Sequence, residues 1–458
     1  MAENYEQTLA HVNTNSKPTD LKITDMRFVD IVGAPMHCTL LRIETNQGIT
    51  GYGEVRDGAS KLYAQMLKRF LIGENPCNID KIFRRIKQFG GQSRQAGGVC
   101  GVELALWDIA GKAYGIPVYQ MLGGKFRDKV RMYCDTDVDG KDTGLNMGDA
   151  LKKRIEKHGY TMLKMDLGIN QLWDVEGGLC APTGFLEQYG YTAKMAREAK
   201  ARGDKAAARW WANRNYDVNN IAHPFTGIHI TTKGFDYLEN YVKEVRSVIG
   251  YEIPLSIDHF GHIGVEDCIK LANRLENYNM CWLEDMIPWQ LTDQYVRLHN
   301  ASTTPIATGE DIYLLENFKP LLDNRAVSII HPDILSSGGI YETKKIGDYA
   351  EECGVAMALH MAETPVACLA AVHVAAATNN FLGLEFHSND VDWWSDMVKD
   401  TEKPKIVDGF MAVPEKPGIG IDELDDEVLA EHIHPEIPGL WESTDEWNDW
   451  ISHDRLWS

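Results

Sequence analysis

Eight short apolar runs, rich in β-branched residues, occupy residues 130–134, 161–165, 253–258, 280–284, 305–309, 328–332, 356–360 and 382–386. Runs that are apolar on both faces suit strands covered on both sides, as parallel strands with crossover helices are. Helical periodicity falls between them, at 265–276, 315–322 and 341–352. Periodicity alone also permits a doubly wound open sheet, but eight repeats favour closure into a (β/α)8-type barrel. The chain is therefore expected to be an α/β protein.

The segment before the first run has a different rhythm. From Leu21 to Val55 the residues alternate apolar and polar, with Asn46-Gln-Gly48 as a turn signal, which predicts a small antiparallel meander. Helices are predicted at 60–71, 79–88 and 102–112, the last led in by Gly97-Gly-Val-Cys-Gly101 and ending near Tyr114-Gly115. Residues 21–125 thus read as an α+β module of their own, with Gly123-Gly124 as the hinge into a barrel spanning 126–390. Residues 1–20 are polar and read as a disordered leader, and 391–458 as a segment packing back on the first module.

One interval breaks the repeat. About 85 residues separate the second and third runs, where a helix with its loops needs about 30. The excess, at about 168–232, holds Trp173, a helical stretch at 193–211 with Trp210-Trp211, and His223-Pro-Phe-Thr-Gly-Ile-His229. Insertions after barrel strands lie over the active-site face, which makes this one either a lid or, through its aromatics, a contact in a homo-oligomer.

A formal charge of -21 argues against nucleic acid or an anionic membrane as partner. It also means that an anionic substrate needs a local source of positive charge. No apolar run is long enough to cross a bilayer. The nine cysteines are scattered without a CxxC pair, which fits a reducing cytoplasm.

Three successive runs close on an acid: Asp258, Glu284 and Glu310, at steps of 26 residues. Active sites of such barrels gather side chains from the C-terminal strand ends, so these carboxylates are expected to converge. Together in a partly dry pocket they require a cation, and oxygen-only ligation suits Mg²⁺ better than zinc. Asp285 and Asp311 follow directly, but neighbouring side chains point to opposite faces, and the spacing selects the glutamates. Two later runs end in His331-Pro-Asp333 and His360, 27 residues on from Asp333. A carboxylate there could hold the imidazole in one tautomer as a general base beside a metal-bound substrate.

The order Asp258, Glu284, Glu310, then Asp333 with His360, then Glu385 in Leu382-Gly-Leu-Glu-Phe386 resembles the mandelate racemase subgroup of the enolase superfamily. Gly101-Val-Glu-Leu-Ala-Leu-Trp-Asp-Ile-Ala-Gly-Lys112 and Pro117-Val-Tyr-Gln-Met-Leu-Gly-Gly124 resemble its capping-domain signature. The resemblance implies a (β/α)8-type barrel with an N-terminal α+β capping domain. It also implies a small-molecule carboxylate substrate chelated to Mg²⁺, with its α-proton removed to give an enediolate. His360 is then the base, Asp333 its orienter, and Glu385, if protonated, a donor to the carboxylate.

The departure from that pattern lies at the second run. Where many family members carry two lysines one residue apart, this chain has Lys164-Met165-Asp166. Lys164 and Asp166 share one face, so they could pair with each other, or Lys164 could bind substrate. His259, His262, His223 and His229 are alternative second groups, with His262 and His229 the better candidates for substrate contact. The missing lysine favours a hydro-lyase, a dehydratase of aldonates or aldarates in which one histidine takes the α-proton and assists loss of the 3-hydroxyl. A racemase, epimerase or cycloisomerase using the same enediolate is the alternative, and a catalytically silent metal- and sugar-acid-binding paralogue is another.

Overall fold

The computed structural model describes residues 18, 20–91, 93–138, 140–221, 227–258 and 263–449. Strands β1 (Ile23–Val32), β2 (His37–Thr45) and β3 (Thr50–Val55) form the expected antiparallel meander, paired in that order. Helix α1 (Gly97–Tyr114) lies across it and is buried along nearly its whole length. Two glycines permit that approach. A Cβ on Gly53 would stand 2.0 Å from the carbonyl oxygen of Gly101, and one on Gly101 would stand 2.4 Å from that of Glu54. Strand and helix therefore meet backbone to backbone, and this depth brings the end of β3 down onto the barrel mouth.

The single helix expected at 60–71 is instead two short pieces, Leu62–Gln65 and Lys68–Leu71. Lys68 turns inward, where its buried ammonium pairs with Asp25 (2.5 Å) and donates to Thr444 Oγ1 (2.8 Å).

The barrel strands are β4 (Lys129–Cys134) and β5 (Leu163–Asp166), then, after the small strands β6 (Leu179–Cys180) and β7 (His229–Ile230), β8 (Leu255–Asp258), β9 (Met280–Glu284), β10 (Ile306–Thr308), β11 (Ile329–Ile330), β12 (Ala356–Leu359) and β13 (Phe381–Phe386). They pair in parallel from β4 through β5 and β8 to β13, and β13 closes on β4 with Glu385 opposite Tyr133. The result is a closed eight-stranded parallel barrel with helices outside it and an N-terminal capping domain. Strand β14 (Ile406–Val407) pairs antiparallel with β15 (Phe410–Ala412), which in turn pairs antiparallel with β4. The chain then runs back along β1, where His434 N donates to Asp30 O and Trp441 N to Phe28 O.

Within the insertion, the one helix expected at 193–211 is a helical hairpin, α2 (Phe185–Ala201) and α3 (Lys205–Ile221). Gly203 adopts φ +73° at the turn, and the Asp204 carboxylate accepts from Ala207 N (3.0 Å), so a left-handed residue and an N-cap interrupt a continuous helical pattern.

Two carboxylates of the capping domain fasten it to the barrel. Glu103 of α1 accepts from Ile340 N (2.7 Å) and Tyr341 N (3.1 Å) at the start of helix Gly339–Glu352. Glu54 of β3 accepts from Thr364 N (3.2 Å), Thr364 Oγ1 (2.6 Å) and Ala367 N (3.3 Å) at the start of helix Pro365–Ala377. Each satisfies helix-start donors that would otherwise be buried without a partner.

A methyl group at the closest strand–helix contact should be poorly tolerated. Gly101→Ala is expected to lower stability by about 1–3 kcal/mol through overpacking, read as a shifted urea midpoint at unchanged slope, whereas Gly48→Ala, whose Cβ would meet nothing within 4 Å, lacks that packing cost.

Candidate active site

Asp258, Glu284 and Glu310 come from the ends of β8, β9 and the loop after β10, and one oxygen of each falls within a group whose atoms all lie within 4.8 Å of one another. Glu284 is fully buried and Asp258 nearly so. Burial pushes the Asp258 carboxyl well above its usual range, with Glu284 and Glu310 adding to the effect, and burial together with Asp311 raises Glu310. Burial also acts to raise Glu284, but the His331 imidazolium and Lys164 ammonium outweigh it and hold Glu284 low. Two of three converging acids are thus short of positive charge, and an oxygen-only donor set of this kind fits a divalent cation such as Mg²⁺.

The neighbours Asp285 and Asp311 take other partners. Asp285 sits at φ +46° and accepts from Thr308 Oγ1 (2.6 Å), while Asp311 faces Arg94 at 3.6 Å.

His360 stands beside this cluster. Its Nδ1 lies 2.6 Å from Asp333 Oδ2, and its Nε2 lies 3.0 Å from Glu310 Oε2. A carboxylate at Nδ1 assigns the ring hydrogen there and leaves the Nε2 lone pair toward the carboxylate cluster. Burial lowers the His360 pKa well below its usual value, and the Arg56 guanidinium, 3.2 Å from Nδ1, lowers it further. Both effects favour the neutral ring. Asp333 also accepts from Leu335 N (2.6 Å), and burial pushes its carboxyl up to about 6.

Arg56 carries no role in the sequence reading, yet it is completely buried at the end of β3 and is central here. Its Nη1 donates to Asp333 Oδ2 (2.7 Å) and pairs with Glu363. Its Nε and Nη2 are buried without a hydrogen-bond partner among the described residues. Arg94, also from the capping domain, reaches Asp57 (2.6 Å) and Glu310 (3.4 Å).

Lys164 does not pair with Asp166. It points inside the barrel, where its ammonium meets Glu385 (2.6 Å), Asp258 (3.2 Å) and Glu284 (3.2 Å), while Asp166 stays at the strand end on the pocket wall. Burial pushes the Asp166 carboxyl well up, reinforced by Asp135 and Asp258. Glu385 is likewise fully engaged. Although burial acts to raise its carboxyl, Lys164, His331 and His387 hold it well below the usual range. His331 links these groups from below, with Nδ1 2.7 Å from Glu284 and Nε2 2.5 Å from the Tyr133 hydroxyl.

These side chains surround a cavity of about 400 Å³ lined among others by Arg56, Arg94, Asp166, Asp258, Glu310, His360 and His387. His229 is not brought to it. That side chain is 63% exposed and meets Asp267 at 3.2 Å, because strand β7 pairs with β6 at the base of the insertion rather than joining the barrel. Trp173, within the insertion, stacks on Tyr189 of α2 (4.1 Å between ring centroids). His223, His259 and His262 lie outside the described residues.

His387 and Asp135, neither of which has a role in the sequence reading, also line the pocket. His387 follows Glu385 by two positions, so the alternation that turned Glu385 inward carries the signal for it.

Family models match both parts of the chain. The mandelate racemase / muconate lactonizing enzyme N-terminal domain matches residues 5–123, and an enolase C-terminal domain-like model matches 206–428. The D-xylonate dehydratase of Haloferax volcanii is 31% identical over 434 residues, covering 93% of this chain and 92% of that protein. The D-galactonate dehydratase of Ralstonia pickettii is 27% identical over 408 residues, covering 87% and 91%. Among solved structures, a mandelate racemase/muconate lactonizing enzyme-like protein from Rubrobacter xylanophilus superposes with a TM-score of 0.75 at 26% identity, covering 92% of this chain and 99% of that one. With both domains, the barrel and its site accounted for, the chain belongs to the mandelate racemase subgroup of the enolase superfamily and is a hydro-lyase within it.

Proposed function

We propose that this enzyme is a Mg²⁺-dependent dehydratase of aldonates or aldarates, converting a sugar acid to its 2-keto-3-deoxy product. The observation that carries the reading is the position of His360, oriented by Asp333 at one nitrogen and facing the carboxylate cluster at Glu310 with the other. The D-xylonate and D-galactonate dehydratases, alike across about nine-tenths of the chain, supply the substrate class.

Enzymes of the superfamily use a divalent metal, and Asp258, Glu284 and Glu310 would hold it here. When bound, the ion supplies the positive charge that makes a proton α to a carboxylate acidic enough to remove. The chain's own groups do the rest. His360 receives the α-proton at Nε2, and Asp333, itself held by Arg56, keeps the ring in the tautomer that can accept it. Arg56 and Arg94, on the cavity wall, give an anionic substrate the local positive charge that the overall charge of the chain denies it.

Lys164 is held by three carboxylates on the inner face of the barrel. Its engagement there speaks for elimination over a two-base racemisation, which needs a free base on the opposite face of the α-carbon. The intact Asp333–His360 pair speaks for turnover over a silent binding role.

Purified enzyme with Mg²⁺, offered a panel of aldonates and aldarates, is expected to form a 2-keto acid from at least one of them, and failure across a broad panel would overturn the assignment. His360→Asn should abolish both product formation and α-proton exchange with solvent deuterium while leaving Mg²⁺ affinity unchanged by calorimetry. Glu310→Gln should weaken Mg²⁺ binding roughly tenfold or more, because it removes one of three charged oxygen ligands.

A further inference from the structure

Elimination needs two proton movements, one from the α-carbon and one to the departing hydroxyl. Among the described residues, two imidazoles line the pocket. His360 and His387 leave adjacent strands, β12 and β13, and both line the same cavity with ring centroids 5.6 Å apart. Each faces an acid at Nδ1. For His387 that acid is Asp135, at the end of β4, 3.6 Å away. Its Nε2 lies 3.2 Å from Glu385 Oε1 but is not aligned for a hydrogen bond, and it has no hydrogen-bond partner among the described residues. The ring is therefore flanked by a carboxylate at each nitrogen while lining the pocket.

We propose that His387, oriented by Asp135, is the general acid that protonates the 3-hydroxyl as it leaves, while His360 serves only as the base. This rests on the dehydratase reading and completes it, since a single imidazole no longer has to serve both carbons. His360 Nε2 takes the C2 proton, and the electrons of the C2–H bond become the C2=C3 double bond. The C3–O bond breaks with its electron pair on oxygen, and that oxygen takes the Nε2 proton of His387 and departs as water. The enol leaves and ketonises in solution, where C3 takes a proton from water and the enol hydroxyl returns one to it, while His360 passes its proton to solvent and His387 takes one up. One water is lost per cycle and no other reactant is consumed.

The surroundings of His387 support the role. Burial acts to lower its pKa, but the charges of Asp135 and Glu385 outweigh burial and raise it to about 9, so the ring holds its proton at neutral pH. Glu385 then has a clear place in the site, as the counter-charge that keeps both Lys164 and His387 cationic.

The test separates the two proton movements. His387→Asn is expected to retain α-proton exchange in deuterated water within about tenfold of wild type, while keto-acid formation falls on the order of 10²- to 10⁴-fold, the usual worth of a positioned general acid. An aldonate with fluorine in place of the 3-hydroxyl, whose leaving group needs no proton, should release fluoride from this variant at close to the wild-type rate. Asp135→Asn should show the same split to a smaller degree. His387→Gln serves as the second variant should the asparagine fold poorly. Dehydration at the wild-type rate in His387→Asn, or equal loss of exchange, dehydration and fluoride release in both variants, overturns the assignment of His387 alone. A wild-type enzyme that dehydrates no acid sugar overturns the dehydratase reading with it.

Discussion

Arg56 reaches the barrel mouth from the capping domain with no exposed surface, and the arrangement of the proposed base depends on it. Its guanidinium meets Asp333 and Glu363, both fully buried, and lies within 3.2 Å of the His360 ring. Burial and the surrounding acids push Glu363 up to about 8 even with that partner present. Deleting one member of such a buried pair costs about 3–5 kcal/mol, because the remaining charge is stranded. A single side chain therefore ties the domains together and adds to the effect of burial on the imidazole, so neither task can be altered independently of the other.

Around that contact the pocket divides its charge. Asp258, Glu284 and Glu310 gather on one side, and cationic groups stand among or opposite them in Lys164, Arg56 and Arg94. Both kinds of charge are largely withdrawn from water, where each acts more strongly than it could at the surface. Against an overall charge of -21, Arg56 and Arg94 place positive charge on the wall of the cavity.

The barrel was legible because its strands are apolar on both faces and end on acids, and the predicted and observed strand limits agree within a few residues. Asp258, Glu284, Glu310, Asp333 and His360 could be picked out because a repeating unit sends each to an equivalent place. Arg56 could not be found in this way. It lies 277 residues before Asp333 and belongs to a strand of another domain, so no local period points to their meeting. His387 was within reach, since it shares a face with Glu385, but it lies beyond the apolar run that drew attention to that strand. The insertion was misread as one helix because the left-handed conformation of Gly203, with Asp204 capping the start of α3, breaks a pattern of residues that is otherwise helical throughout.

Glu54 and Glu103 give the architecture an evolutionary corollary. Each leaves the capping domain to complete the first turn of a barrel helix, so the last two helices of the barrel take part of their hydrogen bonding from outside their own domain. Caps and barrels from different relatives are then interchangeable only in matched sets, because a transplanted cap without carboxylates at these two places would leave the recipient's helix starts buried and unpaired. The two halves of the chain are bound to diverge together, and new substrate preferences should arise more readily in the insertion between β5 and β8, where no such obligation is seen among the described residues.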